Sequence, residues 1–173
     1  MRISSSFVAT LAGATLMLSF GCGKNTAPQV APNPPPVGNG HARLVIFGAG
    51  YCTICKVRFP EIQAELNRLN ATERGKITVD MYLTAGDPAS VRPTDEMAVA
   101  YSKQLGVNAS SRADMWRWQT FRQLISNKFE VPAAAILDAN GNIHRVFTAG
   151  DTTFVPQEIV AVAKEVAAME VKP

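Results

Sequence analysis

Histidine is nearly absent from this chain, with two in 173 residues, and cysteine is scarce, with three: Cys22, Cys52 and Cys55. A structural zinc site needs four ligands, and a second C-x-x-C is missing, so the zinc reading of any cysteine pair starts short of partners. Charge of one sign is lacking too: 17 Lys and Arg stand against 14 Asp and Glu, a formal +3, and no basic run occurs. That balance does not suit a nucleic-acid binder. The "GAG" at Gly48 to Gly50 is no dinucleotide fingerprint, because Thr53 occupies the third glycine's place. No internal repeat of roughly 20 to 50 residues is visible. What remains is a chain of ordinary apolar content, 47%, and of a length that suits one domain with a sizeable core.

The first residues read as an export signal rather than as part of that domain. Met1-Arg2 is a short positive start, and "FVATLAGATLMLSF", Phe7 to Phe20, is uncharged, apolar and too short to span a bilayer comfortably. Its end, "LSFGC", resembles the bacterial lipobox, with Gly21 directly before Cys22, although Ser19 and Phe20 depart from the commonest form. The resemblance implies that residues 1–21 are removed and Cys22 becomes the acylated first residue, several acyl chains giving a firm hold on the membrane. Residues 22–42, rich in Pro, Gly and Asn, cannot bury enough surface to offset their ordering entropy and are expected to form a disordered tether. The domain is then 43–173, in the bacterial cell envelope on the periplasmic side, with Gly23 rather than Asp after the lipid-bearing cysteine favouring the outer membrane. Export places it where disulfides persist. In a bacterium the sequons at Asn70 and Asn108 are expected to stay unmodified.

Leu44 to Phe47 is a continuous apolar run closed by Gly48 and Gly50, the signature of a buried strand. Val57, Phe59, Ile62, Leu66 and Leu69 then recur at helical spacing, predicting an amphipathic helix over 53–70 with Pro60 awkwardly inside it. Alternation in "KITVDMYL" predicts a second strand. After the loop "GDPASVRP", Thr94 caps a helix that ends at Leu105 with Gly106 as its stop. A third helix is expected to be capped by Ser111, with Met115, Trp118, Phe121 and Ile125 as its apolar stripe and Trp116 off it as a candidate contact residue. Strands near 133–138 and 143–148, joined by "DANG", form a hairpin, and Pro156 opens a last helix with Ile159, Val160, Val162, Ala163, Val166 and Ala167 on its apolar side. The expected fold class is α/β, a mixed sheet of about four strands covered on both faces by helices.

The chemistry is carried by "GAGYCTICKVRFPE", Gly48 to Glu61. A strand that turns directly into a helix aims the helix's free N–H groups and positive dipole end at Cys52, favouring its thiolate. Cys55 follows one turn later on the same face, which supplies an attacking and a resolving thiol. Zinc, with only His41 and His144 as further ligands, and a purely structural pair are the alternatives; a C-x-x-C beside a strand-helix-strand pattern favours the redox pair.

On these residues the chain resembles the thioredoxin superfamily. "LVIFGAGYCTICKVRFP" matches the family's strand, active-site turn and helix, with Phe47 on the usual aromatic, Tyr51 where a Trp commonly stands, Cys52 and Cys55 on the active cysteines and Pro60 on the helix-kinking proline. "FEVPAAAILDANGNI" is similar to the cis-proline segment, placing Val131 and Pro132 against the cysteines with backbone groups free for substrate. The extracytoplasmic setting points to the TlpA/ResA-like branch, with an extra helix inserted before the cis-proline strand. The resemblance implies a thiol-disulfide oxidoreductase with no cofactor beyond the Cys52–Cys55 disulfide and no metal. It also implies protein disulfides as substrates, a reducing direction, and re-reduction by a membrane thiol transporter. Where cytosolic members have a buried Asp, this chain has Ile46, so the proton partner of Cys55 is not evident. The alternative is a Sco-like copper chaperone on the same fold, suggested by "GDPASVRPT" but opposed by C-x-x-C in place of C-x-x-x-C and by Pro132 where a histidine is expected. A non-catalytic binding module fits poorly with two intact cysteines.

Overall fold

The computed structural model of the protein describes residues 41–126, 128–149 and 154–169, and only the backbone of 115–118. Cys22, the signal and nearly all of the tether lie outside the described residues, as do the side chains of Met115, Trp116 and Trp118. The elements in order are β1 (Ala42–Gly48), α1 (Thr53–Arg68), α2 (Ala71–Gly75), β2 (Ile77–Leu83), α3 (Asp95–Gln104), β3 (Ser110–Ala113), α4 (Met115–Leu124), β4 (Ala133–Asp138), β5 (Ile143–Thr148) and α5 (Pro156–Ala168).

One mixed sheet of five strands, ordered β3-β2-β1-β4-β5, replaces the four expected. β1 runs parallel to β2, as a strand-helix-strand crossover requires, and antiparallel to β4. The additional strand, β3, lies where the start of a helix capped by Ser111 was predicted. It pairs with Asp80 to Leu83 at the sheet edge, and α4 starts four residues later than that cap. Sheet hydrogen bonds to β2 outweigh the local capping signal, whose residues are mostly polar and half-exposed as befits an edge strand.

Alternation in β1 divides the core. Ala42, Leu44 and Ile46 face a cluster with Phe59, Ile62 and Leu66 of α1, Ala98 and Tyr101 of α3, and Ile159, Val160 and Ala163 of α5. Val45 and Phe47 face the other side, where Tyr82 and Phe121 of α4 join them. Phe47 stacks on Tyr82 and meets Phe121 edge-on, at centroid distances of 5.4 and 5.2 Å. On this second face Arg43 forms an ion pair with Asp80 across the two central strands. The buried stripe of α1 is Cys55, Phe59, Ile62 and Leu66, a spacing of four, three and four. Val57, predicted to share it, is 53% exposed because it sits two residues from Phe59, on the opposite side of the helix.

Helix ends follow local chemistry. Thr94 accepts the N–H of Met97 to cap α3, Gly106 leaves it at φ 67°, and Asn70 with Glu73 closes a capping box on α2. Asp114, 4% exposed, accepts the backbone N–H of Thr120 at 3.0 Å and of Phe121 at 2.9 Å. Burial raises its pKa, and the bonds from Phe121 and Thr120 only partly oppose this. A carboxyl that holds its proton more tightly when folded makes the native state bind more protons than the unfolded chain, so its contribution to stability declines as pH rises from 3.8 through the higher folded value. The stability difference between wild type and Asp114→Asn, from urea melts between pH 4 and 7, is therefore expected to shift against the wild type as pH rises. A flat difference would show that the carboxyl does not titrate in that window.

Candidate active site

Cys52 follows the C-terminal end of β1 and is the N-cap residue of α1, in extended conformation at φ −76°, ψ 101°. Its Sγ accepts the N–H of Cys55 at 3.1 Å and is joined to the Cys55 sulfur in a disulfide. The two residues are both buried but differ in exposure, Cys52 at 7% and Cys55 at 0%. Cys55 offers a reacting partner no surface, and Cys52 is the member of the pair nearer to solvent. The field favours an anion there. The first turn of α1 contains no acidic residue, and Lys56 follows Cys55 directly, its ammonium 3.7 Å from Asp87 in an exposed pair.

The turn before Cys52 is held by backbone. Cys52 N–H donates to Ala49 C=O, and Gly50 N–H to Ala85 C=O at 2.9 Å. Gly48 C=O accepts both the N–H and the hydroxyl of Thr84, each at 2.8 Å. Gly50 is needed for close approach: a Cβ there would stand 2.8 Å from the Gly86 carbonyl carbon, a backbone atom that cannot swing away. Residues 84–93 thereby form a rim beside the cysteines, and Thr84, Ala85 and residues 89–93 line, with Tyr51 and Phe129, a groove of about 320 Å³. Tyr51 and Ile54, flanking Cys52, are exposed apolar surface.

Strand register brings the second predicted segment to the same place. Ala133 pairs with Phe47, so Val131-Pro132 ends beside the Gly48–Cys52 turn, and its peptide bond is cis. Val131 packs against both core clusters. His144 is not brought to the cysteines: its neighbour Ile143 pairs with Leu137, which pairs with Arg43, at the end of the sheet where β1 begins. It lies 3.5 Å from Asp138 instead. Among the described residues no three His, Cys, Asp or Glu side chains gather as metal ligands.

Sequence reasoning missed Thr84, Ala85 and Tyr101, whose contacts with this turn span 35 to 52 residues. The signal available for Tyr101 was its place three residues after Ala98 on the apolar side of a helix, since a buried phenol requires a hydrogen-bond partner.

Strand, N-cap C-x-x-C disulfide, helix and adjacent cis X-Pro in a mixed sheet with helices on both faces define a thioredoxin-like fold. Solved structures of low sequence identity share it. The chain is similar to a thiol-disulfide isomerase from Corynebacterium glutamicum, with a TM-score of 0.53 at 16% identity over 76% of this chain and 84% of that one. It is similar to a thioredoxin-like protein from Aeropyrum pernix, with a TM-score of 0.53 at 15% identity over 72% and 78%. StoA from Bacillus subtilis gives 0.50 at 13% over 75% and 84%. No protein-family model matches the chain, and no curated protein sequence does either.

Proposed function

We propose that the protein is a thiol-disulfide oxidoreductase acting on protein disulfides outside the cytoplasm, in the reducing direction, with Cys52 attacking and Cys55 resolving. The observation that carries this reading is the asymmetry of the pair: one cysteine at a helix N-cap and slightly exposed, its partner fully buried one turn on. In the reduced protein the Cys52 thiolate attacks one sulfur of a partner's disulfide; a new S–S bond forms, the partner's S–S bond breaks, and its other sulfur leaves as a thiolate that takes a proton from water. Cys55 then gives its proton to solvent and attacks Cys52 Sγ, forming the Cys52–Cys55 disulfide and expelling the partner's second sulfur as a thiolate. Two electrons pass from the pair to the partner, whose second thiolate is also protonated by water, so that all protons are exchanged with solvent.

The exposed Tyr51 and Ile54 and the neighbouring Val131-Pro132 support an extended protein segment as the substrate, lying across the cysteine end of the sheet. The lipobox-like "LSFGC" and the Pro-rich tether support anchoring through Cys22 in the bacterial envelope, with a membrane thiol transporter as the electron source. No described helix is long and apolar enough to cross a membrane. The test is the reduction potential of the pair, followed by turnover of a model protein disulfide. A value more negative than about −230 mV together with reduction of insulin supports the reading; a value near about −120 mV reverses the direction, and no exchange with any protein disulfide refutes it.

A further inference from the structure

Tyr101 lies within α3, buried in the cluster that contains Ala49, Cys52, Cys55 and Phe59. Its ring reaches under the end of β1, where a Cβ added to Gly48 would stand 3.5 Å from its Cε1. Its hydroxyl donates to the Ala49 carbonyl over 3.1 Å. The same carbonyl accepts the N–H of Cys52 at 3.0 Å. One oxygen thus takes two donors: the backbone of the attacking cysteine, and a ring held by the packing of a helix. For filling space a phenylalanine would serve equally, and a buried hydroxyl is unfavourable unless it is bonded.

We propose that Tyr101 is a positioning residue for Cys52: its O–H···O=C bond to Ala49 fixes the Ala49–Cys52 turn and so keeps Cys52 Sγ on the Cys55 N–H, setting how readily Cys52 ionises. The inference rests on the exchange reading above. In the reduced state the Cys55 N–H bond to a thiolate is charge-assisted and stronger than the same bond to a thiol. Its strength falls steeply as the geometry loosens, so a turn free to drift takes stabilisation from the anion alone. Burial pushes the Tyr101 pKa up to about 12, which leaves the hydroxyl protonated and able to donate wherever thiol exchange is measured. The charged groups on the neighbouring elements are Lys56 and Asp87, paired at 3.7 Å, and Arg92 of the rim, and Tyr101→Phe changes none of these charges.

Tyr101→Phe removes one oxygen and keeps the ring. In the reduced full chain, iodoacetamide alkylation of Cys52 is followed against pH, alongside the reduction potential. The expected result is a higher titration midpoint, a rate below the midpoint that falls roughly threefold, and an unchanged rate well above it, with a more negative potential because the thiolate of the reduced state is less stabilised. Tyr82→Phe, which removes a buried phenol from the opposite face, is expected to leave both values in place. Amide exchange at Cys52 gives a second measure: its N–H is expected to exchange faster in Tyr101→Phe. An unchanged midpoint and potential in Tyr101→Phe, or an equal shift in Tyr82→Phe, overturns the proposal. Absence of turnover in the wild type would instead remove the oxidoreductase reading while leaving the alkylation midpoint measurable, so the two failures are distinguishable.

Discussion

Serine at Cys52 is expected to reduce exchange with a protein disulfide to background, while serine at Cys55 is expected to stop the reaction halfway with the partner still attached. The difference follows from access and from the helix end. Cys55 has no exposed surface, so a partner's disulfide sulfur meets Cys52 alone. Cys52 occupies the N-cap and receives the Cys55 N–H on its sulfur, an arrangement that favours a thiolate and that a serine hydroxyl cannot turn into a comparable nucleophile near neutral pH. Once the mixed disulfide has formed, the Cys55 sulfur is the one among the described residues placed to attack Cys52 Sγ. Cys55→Ser should therefore accumulate a reduction-sensitive adduct on non-reducing gels, and Cys52→Ser should not. Adducts on Cys55 in a Cys52→Ser variant would reverse the assigned roles, and full turnover by Cys55→Ser would remove the need for a resolving thiol.

The parts of this arrangement legible in the sequence are those set by neighbours along the chain. The apolar run of β1, the helical spacing after Cys52, the Thr94 cap, the "DANG" turn with Gly141 at φ 83° and the Pro156 start all depend on residues within a turn or two, and the structure has them. Pro60 lies inside α1, which runs through it from Thr53 to Arg68. What was not legible depends on pairing at a distance. "SSRA" contains no strand period, and it becomes β3 because the outer edge of β2 offers hydrogen bonds to a segment arriving from α3. Val57 was assigned to the wrong side because a five-residue apolar series fits two overlapping stripes, and only Cys55, a small residue easily left out of such a count, selects the right one. The support beneath the cysteines, from Thr84, Ala85 and Tyr101, comes from elements that no local pattern connects to Cys52.

The same support makes Phe59 the residue of α1 whose loss is expected to matter most to stability. Its ring is fully buried and lies against the end of β1 so closely that a Cβ on Gly48 would be 2.6 Å from Cε2 and 3.1 Å from Cζ. The ring thus fills space that a side chain at 48 would otherwise occupy, directly below the turn that carries Cys52. Phe59→Ala is expected to lower stability by about 3–5 kcal/mol, a large share of the roughly 5–15 kcal/mol typical of a domain. Urea melts of the oxidised protein followed by circular dichroism measure it. Gly48→Ala alone is expected to destabilise by about 1–3 kcal/mol, since the packed ring has nowhere to move. In the Phe59→Ala background the added methyl meets a cavity rather than a ring, so its effect should largely vanish, giving a coupling of about 0.5–3 kcal/mol between the two sites. Two changes that add within about 0.5 kcal/mol would mean that the Phe59 ring does not press on Gly48. The floor of the cysteine turn would then have to be carried by Tyr101 and the backbone alone.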